Sequence, residues 1–96
     1  MNKILEIEVT QEDILNGTKS SPTTCPIALA IKRQIKNVVY VSVGGTTVNL
    51  VTKKMLFLKS KKDYHLDRTA QDFIFSFDQD FIPVHPFTFL MEKLNW

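Results

Sequence analysis

Residues 38–51 read VVYVSVGGTTVNLV, and this stretch decides the fold class of the chain. β-branched and aromatic residues stand on both sides of Gly44 and Gly45, which is the composition of two strands joined by a short turn. A glycine pair readily takes the positive φ angles of the primed turns that close tight hairpins. The stretch therefore predicts an antiparallel hairpin with positive φ at the two glycines.

A helix is predicted immediately before this hairpin. Isoleucines recur at the spacing of one helical face, at Ile27, Ile31 and Ile35. Pro26 suits the first helical position, because the N–H group that proline lacks would have no partner there. We therefore expect Cys25 or Thr24 to cap the helix, and the helix to end near Lys36.

The N-terminal segment predicts a strand followed by a short helix. Residues 4–10, ILEIEVT, alternate apolar and polar side chains, as a half-buried strand does. Thr10 can cap the helical turn that follows it, and a glycine such as Gly17 is typical of the residue at which a helix ends. We expect Ile14 and Leu15 to supply the apolar contacts of this helix.

The C-terminal half predicts a strand, a helix and a final strand. Residues 55–60, MLFLKS, have the composition of a strand. Apolar residues then recur at helical spacing, at Ala70, Phe73, Ile74 and Phe77. Asp67 can cap the start of this helix, and Pro83 and Pro86 end it. Residues 87–94, FTFLMEKL, alternate like a strand.

The predicted order of elements is strand, helix, helix, two or three strands, helix and strand. Such an order is typical of the α+β class, in which helices cover one face of a largely antiparallel sheet. A chain of 96 residues closes one hydrophobic core but not two. We therefore expect a small single domain over residues 1–96, with a mostly antiparallel sheet of four to five strands and two or three helices packed on one face.

The composition indicates a globular protein without a membrane-spanning segment. Hydrophobic residues make up 44% of the chain and charged residues 23%, and no apolar run approaches the roughly 20 residues that cross a bilayer. The N-terminus shows neither the apolar core nor the cleavage site of a secretory signal. A single cysteine excludes an internal disulfide. We expect a cytoplasmic protein with no membrane partner.

The charges are unevenly distributed, although the net charge is only +2. Residues 25–68 carry nine basic and two acidic side chains, whereas the two flanking segments together carry three basic and eight acidic ones. A dipolar protein of this kind can attract an anion to one face, or can pair its two faces in a dimer.

Four segments together resemble a family of small, mostly uncharacterised proteins that bacteriophages and prophages encode. The segments are VTQEDILNG, CPIALAIKR, VSVGG and FIFSFDQDFIPVHPFTF, and the resemblance extends from about residue 7 to residue 89. It implies an opening strand and short helix, a loop, the Cys-Pro-Ile-Ala-Leu-Ala helix, and a Phe-rich helix leading through prolines to the last strand. Small phage accessory proteins often inhibit host defence, so the resemblance implies a counter-defence role in the host cytoplasm.

The loop before the second helix is the first candidate binding site. A helix N-terminus presents unpaired N–H groups, and hydroxyl and thiol groups surround this one, so a phosphate can be held there. These residues are Ser20, Ser21, Thr23, Thr24 and Cys25. The alternative is ordinary capping within a polar loop, for which Ser and Thr are common.

A basic segment is the second candidate. Long cationic side chains next to an aromatic ring and a histidine can bind a nucleotide or a single strand of nucleic acid by charge and stacking. The segment comprises Lys53, Lys54, Lys59, Lys61, Lys62, Tyr64, His65 and Arg68. The alternative is a strand edge that lysines protect from aggregation.

The ligand-binding set that we predict combines the two candidates with the cations of the second helix. Its members are Ser20, Ser21, Thr23, Thr24, Cys25, Lys32, Arg33, Lys53, Lys54, Lys61 and Arg68. We expect neither a metal nor a cofactor, because His65 and His85 stand alone in the sequence.

No complete catalytic signature accompanies these residues. Cys25 at a helix start can act as a nucleophile if a histidine approaches it, but a small apolar role in the core is the simpler interpretation. Asp72, Asp78 and Asp80 lie on or near the third helix, where solvation explains them better than acid–base chemistry. We therefore expect a non-enzymatic protein.

The phenylalanines of the C-terminal half are expected to lie mostly in the core, at Phe73, Phe75, Phe77, Phe81, Phe87 and Phe89. Phe75 is the exception, because on a helix it points away from Phe73 and Phe77. Phe75 and the terminal Trp96 suit a subunit interface, which predicts a homo-oligomer.

The resulting functional prediction is a phage-encoded binding protein that sequesters an anionic, nucleotide-derived signal molecule, either cyclic or linear. Two alternatives stay open. One is a protein inhibitor of a host defence enzyme, and the other is a weak nucleic-acid-binding protein.

Overall fold

The computed structural model describes residues 3–79 and 84–94. Its strands are β1 (Ile4–Val9), β2 (Val38–Val43), β3 (Thr47–Lys53), β4 (Lys59–Leu66) and β5 (Phe87–Lys93). Its helices are α1 (Gln11–Asn16), α2 (Pro26–Gln34) and α3 (Arg68–Gln79). Four residues named above, Asp80, Phe81, Pro83 and Trp96, lie outside the described residues.

The five strands form one antiparallel sheet in the order β1-β5-β4-β3-β2. The sheet curls, so that α2 packs against both of its edge strands, β1 and β2. Helix α3 packs against the central strands β4 and β5 from the same side. The predicted α+β class and the single antiparallel sheet are therefore confirmed.

The core lies between the concave face of the sheet and the helices. Alternate residues of each strand point inward, and the apolar face of α2 is fully buried. The largest fully buried side chains include Ile27 and Ile31 of α2 and Phe89 and Met91 of β5. Phe73 of α3 stacks on Phe77 and Phe87, with ring centroids 5.6 and 4.6 Å away. The predicted core role is confirmed for Phe73 and Phe89, whereas Phe77 and Phe87 are partly buried and pack against the core.

Both edge strands are hydrogen-bonded to neighbouring segments. At β1, Glu8 N donates to Gln34 Oε1 at 2.9 Å, and Gln34 Nε2 donates back to Glu8 O at 2.6 Å. At β2, Val43 N donates to the carbonyl oxygen of Pro22 at 2.8 Å. Helix α2 and the loop before it therefore satisfy backbone groups that a sheet edge normally exposes.

The predicted hairpin is confirmed, with Val43 opposite Val48, but the predicted turn geometry is wrong. Neither Gly44 nor Gly45 has a positive φ. Gly44 N donates to Thr47 O at 2.8 Å, so the chain reverses over four residues with ordinary φ angles. Gly45 and Thr46 thus connect the two strands without the left-handed backbone that a primed turn imposes.

The strand predicted over residues 55–60 is also wrong, because residues 55–58 form the exposed turn between β3 and β4. Strand β4 starts at Lys59 and continues to Leu66. Its inward-facing positions include Lys62, Tyr64 and Leu66, and lysines on both faces conceal the two-residue period of an ordinary strand.

The helix boundaries follow the predicted caps. Thr10 and Asp13 form a capping box at α1, Cys25 caps α2, and Asp67 Oδ1 accepts from Ala70 N at 2.9 Å. Leu15 does not make the predicted core contact, since its side chain is 74% exposed. None of the helices in the described part of the chain has the length and apolar character needed to cross a membrane.

A partly buried ion pair joins α1 to α2. Asp13 is only 6% exposed, and Arg33 Nη2 lies 2.8 Å from its Oδ2 atom. Burial alone would raise the pKa of Asp13, but hydrogen bonds from Arg33 and Thr10 outweigh burial and lower it. Arg33 also donates to Glu8 O at 2.9 Å, so it fastens α2 to β1 and α1 together.

Substitutions at two glycines should change the free energy of unfolding in opposite directions. A Cβ atom at Gly17 would lie 2.5 Å from the ring carbons of Pro26, whereas one at Gly45 would meet nothing within 4 Å. Gly17→Ala should lower the free energy of unfolding by about 1–3 kcal/mol, because the proline ring cannot yield. Gly45→Ala should raise it by up to about 1 kcal/mol. Urea denaturation measures both, and equal effects would contradict the close packing at Gly17.

The two arginine ion pairs should also differ in how much each contributes to the free energy of unfolding. Arg33→Ala leaves the buried Asp13 carboxylate without its cationic partner and should cost about 1–3 kcal/mol of unfolding free energy. Arg68→Ala is the matched control, since its pair with Asp72 is exposed on both sides and should contribute at most about 0.5 kcal/mol. Thermal unfolding of both variants at pH 7 tests this, and comparable losses would contradict a structural role specific to Arg33.

Candidate functional site

The hydroxyl-rich loop before α2 is closed by bonds within itself. Thr18 N donates to Thr24 O at 2.9 Å, and Cys25 N donates to Ser21 O at 3.1 Å. The hydroxyls of Ser21 and Thr24 are hydrogen-bonded to each other. The structure thus brings the predicted residues 20–25 together, but several of their donors already have partners inside the loop.

The N-terminus of α2 and the loop before it are each bonded to one of the protein's own acceptors. Cys25 Sγ accepts from Ala28 N at 3.5 Å, and Asp78 Oδ1 of α3 accepts from Ser20 N at 2.9 Å. An incoming phosphate would approach the Asp78 carboxylate at short range, and like charges repel. This arrangement favours the capping interpretation of the loop over phosphate binding.

A cleft of about 310 Å³ adjoins this loop, between the start of α2, the β2–β3 turn and α3. Its walls are mainly apolar, and none of the described residues that line it is basic. The lining comprises Ser20, Ser21, Pro22, Cys25, Pro26, Ile27, Val43, Gly44, Gly45, Phe73, Ile74, Phe77 and Asp78. Among these described lining residues the only charged group is the Asp78 carboxylate, so the cleft does not suit an anion.

The cations of α2 serve the fold. Lys32 Nζ donates to Thr23 O at 2.8 Å, which fastens the loop to the helix. Arg33 is held by Asp13 and by the Glu8 carbonyl. Their assignment to the ligand site is therefore not supported by their positions, since both groups are bonded to other parts of the chain.

The basic segment is divided among four places: the turn end of β3 and β4, the outer face of the sheet, the start of α3 and the inner face of β4. Lys53 and Lys59 face each other at the far end of β3 and β4, and Lys54 follows in the turn. Since β3 has seven residues, this end lies roughly 20 Å from the β2–β3 turn and the cleft. Lys61 is exposed on the outer face of the sheet. The structure therefore does not combine these lysines with the loop at residues 20–25.

Arg68 lies at the other end of β4 from Lys59. Arg68 begins α3 and pairs with Asp72 at 3.1 Å, beside a shallow depression that also touches Gly45.

The lysines do not protect an edge, because β3 and β4 are inner strands and the edges are β1 and β2. Their charge is therefore not explained by edge protection.

A second concavity, which we call the lysine groove, opens where α2 ends. It measures about 320 Å³ and lies on the concave side of the sheet, beyond the last turn of α2. Its lining comprises Lys3, Leu5, Gln34, Ile35, Lys36, Leu50, Thr52, Lys62 and Tyr64. Three of these residues are cations, and no carboxylate is found among the described lining residues. The basic segment thus meets the C-terminal end of α2 rather than its N-terminal end.

The lysine groove could not be identified from the sequence because its cations come from three separate elements. Lys3 precedes β1, Lys36 follows α2, and Lys62 lies within β4. The sequence did contain one indication that Lys62 belongs to this groove. Lys62, Tyr64 and Leu66 are alternate residues, so they lie on one face of a strand. Once residues 59–66 are assigned to a strand, Lys62 is therefore placed on the inner face.

The histidines show no metal-binding geometry. Among the described residues, no three His, Cys, Asp or Glu side chains come together in a way that could hold a metal ion. His65 lies opposite Glu92 in the β4–β5 register, and His85 is an exposed residue ahead of β5.

Cys25 has the environment of a structural thiol. Burial raises its pKa and the charge of Asp78 raises it further, while the N–H groups of Ala28 and Ile27 offset this only in part. A raised pKa keeps the thiol protonated at neutral pH, which opposes nucleophilic chemistry.

Cys25 should therefore resist thiol reagents in the folded protein. Because it is only 9% exposed and protonated, its reaction with a disulfide reagent at pH 8 should be at least about a hundredfold slower than that of free cysteine. The chain unfolded in guanidinium is the control, and its Cys25 should react at the rate of free cysteine. Rapid labelling of the folded protein would contradict the burial of this thiol.

Comparison of the chain with models of protein families, with curated proteins and with solved structures found no match. The chemistry of the site therefore follows from the residues of this chain. They offer an apolar cleft with one carboxylate at one end of the sheet, and a cationic groove at the other end.

Proposed function

We propose that the chain is a non-enzymatic binding protein that captures an anionic, nucleotide-derived ligand in the lysine groove. One observation carries the proposal. Lys3, Lys36 and Lys62 converge on one concavity, and the described residues that line it include no carboxylate. An unpaired cluster of like charges is unfavourable by itself, so an anion bound among the three lysines would be stabilised by all of them.

The remaining lining suits the rest of a nucleotide. Leu5 and Ile35, which are partly buried, provide an apolar surface against which a base can pack. Burial raises the pKa of Tyr64, so its hydroxyl stays protonated and can donate a hydrogen bond. The volume lies at the lower end of the range for small-molecule sites, which fits a mononucleotide or one end of a dinucleotide.

The proposed role is sequestration rather than turnover. The groove presents cations and hydroxyls, and none of its described lining residues is a carboxylate, histidine or cysteine that could act as a general base or nucleophile. The resemblance to phage-encoded proteins supports a ligand that serves as a signal in host defence. A protein of this kind lowers the free concentration of the signal by holding it.

Loss of one groove lysine should weaken binding strongly. Isothermal titration calorimetry with mononucleotides, linear dinucleotides and cyclic dinucleotides identifies the tightest ligand of the wild-type chain. Lys62→Gln should then reduce the affinity for that ligand at least tenfold, about 1.4 kcal/mol, because it removes a cation from the groove wall. Lys61→Gln is the matched control, since it removes the same charge from the outer face of the same strand and should change affinity less than about twofold.

Other outcomes would contradict the proposal. If Lys62→Gln bound normally while the Thr23→Ala, Thr24→Ala double variant bound poorly, the site would lie at the N-terminus of α2. If none of the nucleotides bound, the assigned ligand class would be wrong. Analysis of the ligand after long incubation provides the remaining test, since a chemically altered product would contradict a non-enzymatic role.

A further inference from the structure

Four consecutive apolar side chains are exposed at one end of the molecule. Residues 55–58, which we call the apolar tip, form the turn between β3 and β4, and their exposed fractions run from 56% at Leu58 to 90% at Phe57. The turn is closed by backbone hydrogen bonds, including Lys54 N to Leu58 O at 2.8 Å and Leu58 N to Met55 O at 3.2 Å. The tip is thus an ordered projection whose side chains gain nothing from the core of their own subunit.

Lysines surround the base of the apolar tip. Lys53 and Lys59 lie directly opposite each other in the β3–β4 register, and Lys54 stands between Lys53 and the turn. Like charges at directly opposed positions destabilise a sheet. The nearest acidic residue in the sequence is Asp63, which lies four residues after Lys59 on β4, and none of the residues between Lys53 and Lys59 is acidic. The tip therefore presents an apolar surface with a cationic border.

A surface of opposite character lies on the outer side of β1 and β5. Their outward residues form what we call the acidic face, which comprises Ile4, Glu6, Glu8, Thr88, Leu90 and Glu92. Ile4 lies opposite Glu92, and Glu6 lies opposite Leu90. Ile4 and Leu90 are 56% and 45% exposed, so this face combines apolar side chains with an acidic border.

We propose that the apolar tip of one copy of this chain docks on the acidic face of a second copy. In a two-fold dimer each copy supplies one tip and one face, so two equivalent contacts form. Phe57 and its neighbours would cover Ile4 and Leu90, while the lysines beside the tip would meet the three glutamates. One contact thus explains two exposed apolar surfaces and their opposite charges.

Other occupants of the tip leave observations unexplained. Two tips in contact would bring the lysines of both copies together, and their repulsion opposes such a dimer. An anionic lipid surface or a nucleic acid bound at the tip would attract the lysines, but it would leave Ile4, Leu90 and the glutamates around them without a partner. A second copy is the partner that satisfies both surfaces.

Sedimentation velocity of the full chain over a range of concentrations tests the proposal. The wild type should form a dimer whose dissociation constant rises with salt concentration, because charge pairs border the contact. Phe57→Ser should raise that constant at least tenfold through the loss of buried apolar surface. Two charge reversals should do the same: Lys53→Glu with Lys59→Glu at the tip, and Glu6→Lys with Glu92→Lys on the face.

Mixing the two charge-reversed proteins is the decisive experiment. In the mixed dimer, the reversed tip meets the reversed face and the native tip meets the native face, so both contacts are complementary. The equimolar mixture should therefore dimerise within about threefold of the wild-type affinity, although each reversed protein alone is a monomer. A mixture that stays monomeric would overturn the proposed pairing.

Matched controls separate this interface from others. Leu15→Ser removes an equally exposed apolar side chain and Lys19→Glu reverses a lysine in the loop at the opposite end of the molecule, so neither should change dimerisation. Circular dichroism checks the fold of every variant. A wild type that is monomeric at high concentration would overturn the proposal. So would a dimer that persists in Phe57→Ser but is lost in Phe75→Ser, since α3 would then form the interface.

Discussion

The burial of α2 between the two edges of the sheet is the constraint on which the other features depend. Ile27, Ala28, Ala30 and Ile31 are fully buried, and the two alanines let the helix approach the strands closely. Since α2 contacts both β1 and β2, the sheet must curl around it. The helix spans only nine residues, so the concave surface beyond its last turn stays uncovered and becomes the lysine groove.

This packing also separates charge along the molecule. At the start of α2, a thiol and the Asp78 carboxylate face the N–H groups of the helix and of its preceding loop. At the other end of the sheet, lysines occupy the groove and surround the turn after β3. The lopsided charge of the sequence thus becomes a difference between the two ends of one sheet, and it favours anion binding at the end remote from the loop.

Features that depend on neighbouring residues were predictable from the sequence. The hairpin around Gly44, the caps at Thr10, Cys25 and Asp67, and the alternation of β5 all rest on local patterns. Strand β4 was not predictable in the same way, because lysines on both of its faces mask the period of a strand.

The lysine groove depends on contacts between residues that are distant in the sequence. Lys3, Lys36 and Lys62 become neighbours only because the sheet curls. The hydroxyl-rich loop, in contrast, looked like a phosphate site because its internal hydrogen bonds and the approach of Asp78 cannot be read from residue types. The pairing of Gln34 with Glu8 has a further consequence, since the amide imitates an adjoining strand at one end of β1, as the Pro22 carbonyl does at Val43 of β2. A strand added at either edge would have to displace these bonds at that end, which opposes extension of the sheet there.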